Sequence, residues 1–255
     1  MIKLIRPPKP IELTEDVKAE LTKKFKESKT VVWRKTYIVD ALTKMSHGKC
    51  CYCETKLGIQ GKALQVEHFH YKEAYPDEVV DWNNLLPSCS QCNSNKGIYD
   101  TIKNVPIINP ASEDPKDYLY LKNYILKSKD NSLKSKGRIT VTLLDLNNRE
   151  KLINSRIQIA EAMRQKLDNI HEKTIQLKEK QIDLAYNRSR IVNGLYDILR
   201  MAQADAEYSA FMATIILTDE DYLEIKDILN ILGLWNAELE NLHNSAEQLK
   251  LDTSR

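Results

Sequence analysis

Apolar positions recur along the chain with two different periods, and the changes between them mark its parts. Val17, Leu21 and Phe25 are four residues apart behind Thr14-Glu15-Asp16, a hydroxyl followed by acids, so a helix is predicted to run from Thr14 to about Glu27. A second helix is expected over roughly 30–46, with Trp33, Tyr37 and Ala41 or Leu42 on one side, ending at His47-Gly48. Residues 1–10, broken by Pro7, Pro8 and Pro10, read as an extended arm. After a turn signal at Gln60-Gly61-Lys62 the period shortens to two, and Ala63 to His68 alternates as a short strand does. Further on, Pro106, Pro110 and Pro115 mark an extended stretch with turns. Residues 118–127 and 138–144 have strand composition on either side of a polar loop, which predicts an antiparallel hairpin.

From Asn148 the pattern is helical almost throughout. No Gly or Pro falls between Arg149 and Leu184, and Ile153, Ala160, Leu167 and Thr174 recur every seven residues beside the seam Met163, Ile170, Leu177. Such a stripe suits a helix laid on its own domain or a face that docks a partner. Ile191–Leu199 and Phe211–Leu217 are further apolar helical segments, and Thr218-Asp219-Glu220-Asp221 opens another helix running through Leu223, Ile228 and Leu232 to Gly233. With only 7 Gly and 29% charged residues, helices are favoured over a sheet-rich fold. The expected class is mainly α with a small α+β core. The expected parts are an N-terminal arm with helices (1–48), a cysteine-bearing core (49–110), an extended segment with a hairpin (111–147) and a helical C-terminal lobe (148–255).

Charge adds local detail. The formal net charge of +2 announces no global affinity for nucleic acid. Lys18, Lys23, Lys24, Lys26, Lys29, Arg34 and Lys35 form either a phosphate-tracking face or a solvated one. Between 122 and 138, Lys122, Lys127, Lys129, Lys134, Lys136 and Arg138 face only Asp130, which makes that loop a candidate substrate contact. From Asp205 to the end, eleven acids oppose Lys226, Lys250 and Arg255, a net of −8 suited to protein contact or a basic partner. No apolar run approaches the ~18 residues of a membrane span, and the first residues lack the core of a signal peptide.

Four of the five cysteines form two C-x-x-C pairs, Cys50/Cys53 and Cys89/Cys92. Each pair can hold a metal from one side, and together they make a tetrahedral thiolate site for structural zinc. The spacer is longer than the ~15–20 residues usual between paired knuckles, so something is built between them. Paired knuckles without a signal peptide fit a reducing cytoplasm better than a disulfide scaffold. Cys51 is left over as a small packed residue.

The order within this stretch is specific. A strand ends in Glu67-His68, Trp82-Asn83-Asn84-Leu85 follows, and the second knuckle leads at once to Asn93 and Lys96, three apart and on one face of a helix. This order resembles the HNH nuclease family, which carries the zinc-stapled ββα-metal motif. The resemblance implies that His68 is the general base, that Glu67 and Asn93 hold a catalytic Mg²⁺ or Mn²⁺, and that Asn84 pins the loop behind the base. Glu67 stands where many such enzymes have Asp. His70 is a candidate third metal ligand or substrate contact. Lys96 contacts phosphate or is solvated, and Asn93 has the alternative of merely capping a helix. Over most of the chain the sequence also resembles the nuclease subunits of Septu-type anti-phage systems, some of them attached to retrons. That implies a nucleic-acid substrate (DNA first, RNA or tRNA possible), an ABC-type ATPase partner of the PtuA kind, and in the retron case a reverse transcriptase with its RNA and DNA. His70-Tyr71-Lys72 departs from the Arg-Pro-Lys expected there. The competing class is a catalytically silent, zinc-stapled adaptor. A redox role for the cysteine pairs is a distant third.

Overall fold

The structure, a computed structural model, describes residues 1–58, 63–180 and 185–253, so the turn expected at 60–62 lies outside the described residues. The chain divides into two compact units. Met1–Leu119 with Leu126–Asn147 forms the first, and Tyr120–Ile125 with Asn148–Arg255 the second.

In the first unit, α1 spans Glu15–Ser28. The Thr14 hydroxyl accepts the Val17 N–H at 3.2 Å, and Glu15 and Asp16 lie in the first turn, where the helix dipole favours acids. Leu21 and Phe25 are its buried positions. The second helix, α2, is shorter than expected: Thr36–Met45 rather than 30–46. Lys29 closes α1 in the left-handed conformation (φ 54°), and the β-branched run Thr30-Val31-Val32 continues without helix. Trp33 is thereby freed from the Tyr37 face and packs edge-on against Phe25, with ring centroids 5.8 Å apart. The first ten residues have no helix or strand but are anchored: Met1, Ile2 and Leu4 are buried, and the Leu4 N–H donates to the Pro110 carbonyl at 2.7 Å.

Strand β1 (Gln65–His68) pairs antiparallel with β2 (Leu85–Ser88), His68 opposite Leu85, and helix α3 (Ser90–Lys96) follows directly. The hairpin expected between 118–127 and 138–144 is not formed. Instead β3 (Leu119–Lys122) and β4 (Ile125–Ser128) pair with each other, turning through Asn123 and Tyr124 at φ 50° and 65°. Two successive positive φ values make the tight turn that suits the twist of a hairpin. Residues 136–143 are helix α4 (Lys136–Leu143) despite their β-branched content. The Ser135 hydroxyl caps it by accepting the Arg138 N–H at 3.4 Å. The buried Thr140 hydroxyl donates back to the Lys136 carbonyl and accepts the Ile108 N–H at 2.8 Å. Cap and packing thus outweigh strand propensity.

The second unit is helical. A π-helical turn at Arg149–Ile153 leads into α5 (Asn154–Lys178), followed by α6 (Ala185–Arg200), α7 (Ser209–Leu217), α8 (Glu220–Ile231) and α9 (Ala237–Leu249). The heptad stripe of α5 is buried at Ala160, Met163, Leu167, Ile170, Thr174 and Leu177, and α5 packs on α6 and α8. Of the two readings of that stripe, the structure shows the helix laid on its own domain. Among the described residues no helix is long and apolar enough to cross a membrane.

Candidate active site and metal centre

The first knuckle is a tight turn that follows α2. The Cys50 N–H donates to the Thr55 carbonyl at 2.9 Å, the Glu54 N–H to the Cys50 carbonyl at 3.0 Å, and Glu54 takes φ 63° to make the bend. The second knuckle is the start of α3: Cys89 is its N-cap, and its sulfur accepts the Cys92 N–H at 3.4 Å. The Cys51 N–H donates to the Pro87 carbonyl at 2.9 Å, so β2 draws the two turns together. The long spacer is accounted for, since the antiparallel pairing of β1 and β2 returns its far end to its near end.

The four sulfurs of Cys50, Cys53, Cys89 and Cys92 all lie within 4.8 Å of one another, with Cys53 and Cys89 at 3.8 Å. A tetrahedral zinc with Zn–S bonds of about 2.3 Å requires sulfur–sulfur edges of about 3.8 Å. The quartet therefore can hold one zinc ion. Cys51 stands outside it, buried, with its thiol pushed well above the ordinary range by that burial.

Glu67 and His68 close β1, and both are buried. Lys96, one turn beyond Asn93 on α3, is buried with them, its side chain 1% exposed. Its ammonium donates to the His68 carbonyl at 2.7 Å and lies 2.7 Å from Glu67 Oε1. That second contact neutralises charge, but Glu67 Oε1 still lacks a well-aligned hydrogen-bond donor. Burial raises the Glu67 carboxyl to about 7, even with Lys96 pulling the other way. Lys96 is therefore not the solvated residue that was one of its two readings.

The His68 ring is fixed by its neighbours. Nε2 lies 2.9 Å from the Val79 carbonyl, which can only accept, so Nε2 carries the proton and Nδ1 the lone pair. Trp33 stands perpendicular to the ring with centroids 4.7 Å apart. Burial lowers the imidazole to about 4, so the ring is neutral at neutral pH. Asn84 is buried and ties two backbones: its Oδ1 accepts the His70 N–H at 2.6 Å, and its Nδ2 donates to the carbonyls of His70 and Glu78, each at 3.2 Å. Asn93 is half-buried on α3, which packs on β1, and among the described residues its carboxamide has no hydrogen-bond partner.

The donor types present here are ones that a divalent cation takes. Glu67 and Asn93 supply hard oxygens of the kind Mg²⁺ and Mn²⁺ take, and one carboxylate with one amide leaves positions for water and phosphate. Two buried polar atoms here, Glu67 Oε1 and the Tyr52 hydroxyl, lack an aligned partner.

His70 goes elsewhere. Its Nδ1 donates to Glu78 at 2.5 Å, and it lines a cleft of about 450 Å³ with Asn84, Glu113 and Lys136, which Glu67, His68 and Asn93 do not line. In the basic loop Lys136 is neutralised by Glu113, and Arg138 donates to the Asn131 carbonyl at 3.2 Å. Sequence reasoning missed Trp33, Glu78 and the Val79 carbonyl as neighbours of the two histidines. Nothing local marks them, because each reaches the site only through the fold.

No family model matches the chain. It is 39% identical to the Septu protein PtuB of Bacillus thuringiensis over 259 residues, 97% of this chain and 94% of that protein. To the Septu protein PtuB of Bacillus mycoides (strain KBAB4) it is 28% identical over 250 residues, 83% of this chain and 82% of that protein.

Proposed function

The chain belongs to the Septu PtuB family, and from that premise we propose that it is a metal-dependent HNH endonuclease, the cutting subunit of an anti-phage defence complex controlled by an ABC-type ATPase. The observation that carries the reading is the His68 imidazole. It is neutral, with Nε2–H anchored on the Val79 carbonyl and Nδ1 left as an acceptor, at the end of β1 directly after Glu67. That is the state a general base requires.

In this reading His68 Nδ1 takes a proton from water as the water oxygen bonds to phosphorus. The bond from phosphorus to the leaving sugar oxygen breaks, and that oxygen takes a proton from solvent. Mg²⁺ or Mn²⁺ held by Glu67 and Asn93 would polarise the phosphate and offset the charge of the leaving oxygen. Lys96 holds the Glu67 carboxylate and the His68 carbonyl in place through its two contacts. Asn84 fixes the backbone at 70 and 78, the segment that leads to the Val79 carbonyl. The cysteine quartet anchors the start of α3 and with it Asn93. The family resemblance makes DNA the first choice of substrate, and RNA, including tRNA, is the second because none of these groups reads a base.

The test is cleavage of labelled DNA and tRNA with Mg²⁺ or Mn²⁺ by wild type and His68→Ala, each with and without a PtuA-type ATPase. Cleavage is expected from the wild type and a loss of at least 100-fold in the variant, with zinc content unchanged. Equal cleavage by His68→Ala overturns the assignment. Absence of cleavage in every combination, with zinc bound, favours a zinc-stapled binding module instead.

A further inference from the structure

Most cations of the first unit that lie near the candidate site are already engaged. Lys18, Lys26 and Lys29, along α1 and at its cap, are paired with Asp81, Asp77 and Glu73, so that face is bound to the chain's own loop. Lys96 is held by Glu67, and Arg34 donates to the Gln65 side chain at 2.7 Å. Lys72 differs from these. It is half-buried, and among the described residues no carboxylate lies within ion-pairing distance of it. Its ammonium sits 5.5 Å from the centre of the Trp33 ring and 5.6 Å from that of Tyr71. Trp33 in turn stands against His68. The Lys72 charge acts on both Glu67 and His68. Two aromatic rings hold a cation in place by attraction to their faces, yet they do not neutralise it. An ammonium held by two rings, with no carboxylate at ion-pairing distance and with its charge felt at the His68 imidazole, is complementary to an arriving anion.

We propose that Lys72, propped on Trp33 and Tyr71 beside His68, grips a backbone phosphate of the nucleic-acid substrate at the cleavage site. The proposal rests on the nuclease reading above and names the residue by which that site holds its substrate. The grip is independent of sequence, because an ammonium on a phosphate carries no base information. Trp33 and Tyr71 are positioning residues for Lys72.

The test uses the full zinc-loaded chain carrying His68→Ala, so that a fluorescent oligonucleotide is bound without being cut. Binding is measured against salt for this protein and for its Lys72→Ala, Lys72→Met and Lys72→Arg versions. Lys72→Met keeps the apolar stem on the rings, so it preserves the fold if Lys72→Ala does not. Loss of one phosphate contact is expected to lower the slope of log K against log salt by about 0.7–0.9, by a similar amount for every sequence, and Lys72→Arg is expected to restore it. In the otherwise wild-type enzyme, Lys72→Met is expected to raise KM more than it lowers kcat. An unchanged slope and KM in an enzyme that cuts overturns the proposal and leaves the nuclease standing. A Lys72-dependent slope in a protein that never cuts keeps the phosphate grip and removes the nuclease. No binding by any version overturns both.

Discussion

Asn84 shows how much one side chain can hold. Its carboxamide makes three hydrogen bonds to main chain, one to the His70 N–H and two to the carbonyls of His70 and Glu78, from a buried position. Truncation leaves a part-buried N–H and two part-buried carbonyls without their partner, and an unpaired group costs about 1–3 kcal/mol when fully buried, less where water reaches it. Asn84→Ala is therefore expected to destabilise the first unit by about 2–4 kcal/mol, read as a lower urea midpoint with unchanged zinc content. A change below about 0.5 kcal/mol would mean that the loop behind His68 is held by something else. At this scale the cysteines were legible because their spacing is local: two residues between thiols suffices for one turn, wherever that turn is carried. Lys96 was legible as a residue on the same helix face as Asn93 but not as a buried one. Its burial follows from the Glu67 carboxylate and the His68 carbonyl arriving from β1. Trp33 was read onto a helix face by its spacing from Tyr37, whereas its ring is placed by Phe25 and His68.

Helices and strands were legible where their stabilising contacts are periodic along the chain. The seven-residue stripe on α5 predicted its buried face because that face packs along its whole length on neighbouring helices. α4 was misread because Ile139, Val141 and the threonines favour strands, while the deciding features are single residues: the Ser135 cap, Thr140 and Gly137. Gly137 sits where a Cβ would lie 2.7 Å from the Tyr118 carbonyl oxygen and 2.7 Å from the Ser128 hydroxyl. Gly194, in α6, would place a Cβ 2.7 Å from the end of the Ile170 side chain, which can rotate away. Alanine gains about 1 kcal/mol over glycine within a helix, so the two substitutions start from the same credit and part over their neighbours. Gly137→Ala is expected to lose about 1–3 kcal/mol net, since the backbone carbonyl cannot yield without moving α4. Gly194→Ala is expected to lie between neutral and about 1 kcal/mol more stable. Urea unfolding of the two variants side by side decides it, and the same sign in both would show that the helix approach to Tyr118 is not a tight constraint.

At the scale of the whole molecule, the two units rest on different physics. The second has an extended apolar core of five helices, in which α7 is buried along nearly its whole length, and it contains no cysteine. The first buries an apolar core too, with Leu21 and Phe25 of α1, Ile38 and Leu42 of α2, and Ile107 and Ile108, but the part that carries the candidate site is two strands of four residues and a seven-residue α3 whose first turn is tied to the cysteine quartet. Elements that short are marginal alone, whereas closing a structural zinc site contributes about 10–16 kcal/mol in small zinc-dependent folds. The sequence announced a site able to hold zinc but not this division of labour, because nothing in the spacing of cysteines says how much apolar surface the rest of the first unit buries. Removal of the metal is therefore expected to act on one unit and spare the other. With a strong chelator, the far-UV circular dichroism should keep most of its helical signal. Limited proteolysis should open the chain before Asn148 and leave a resistant fragment carrying α5 to α9. On the proposed nuclease reading cleavage should be lost, and equimolar Zn²⁺ should restore both the protease pattern and the cleavage. If both units melt together on chelation, the helical unit depends on the first for its stability. If neither changes while zinc is fully removed, the quartet is not what holds α3, and with it Asn93, in place.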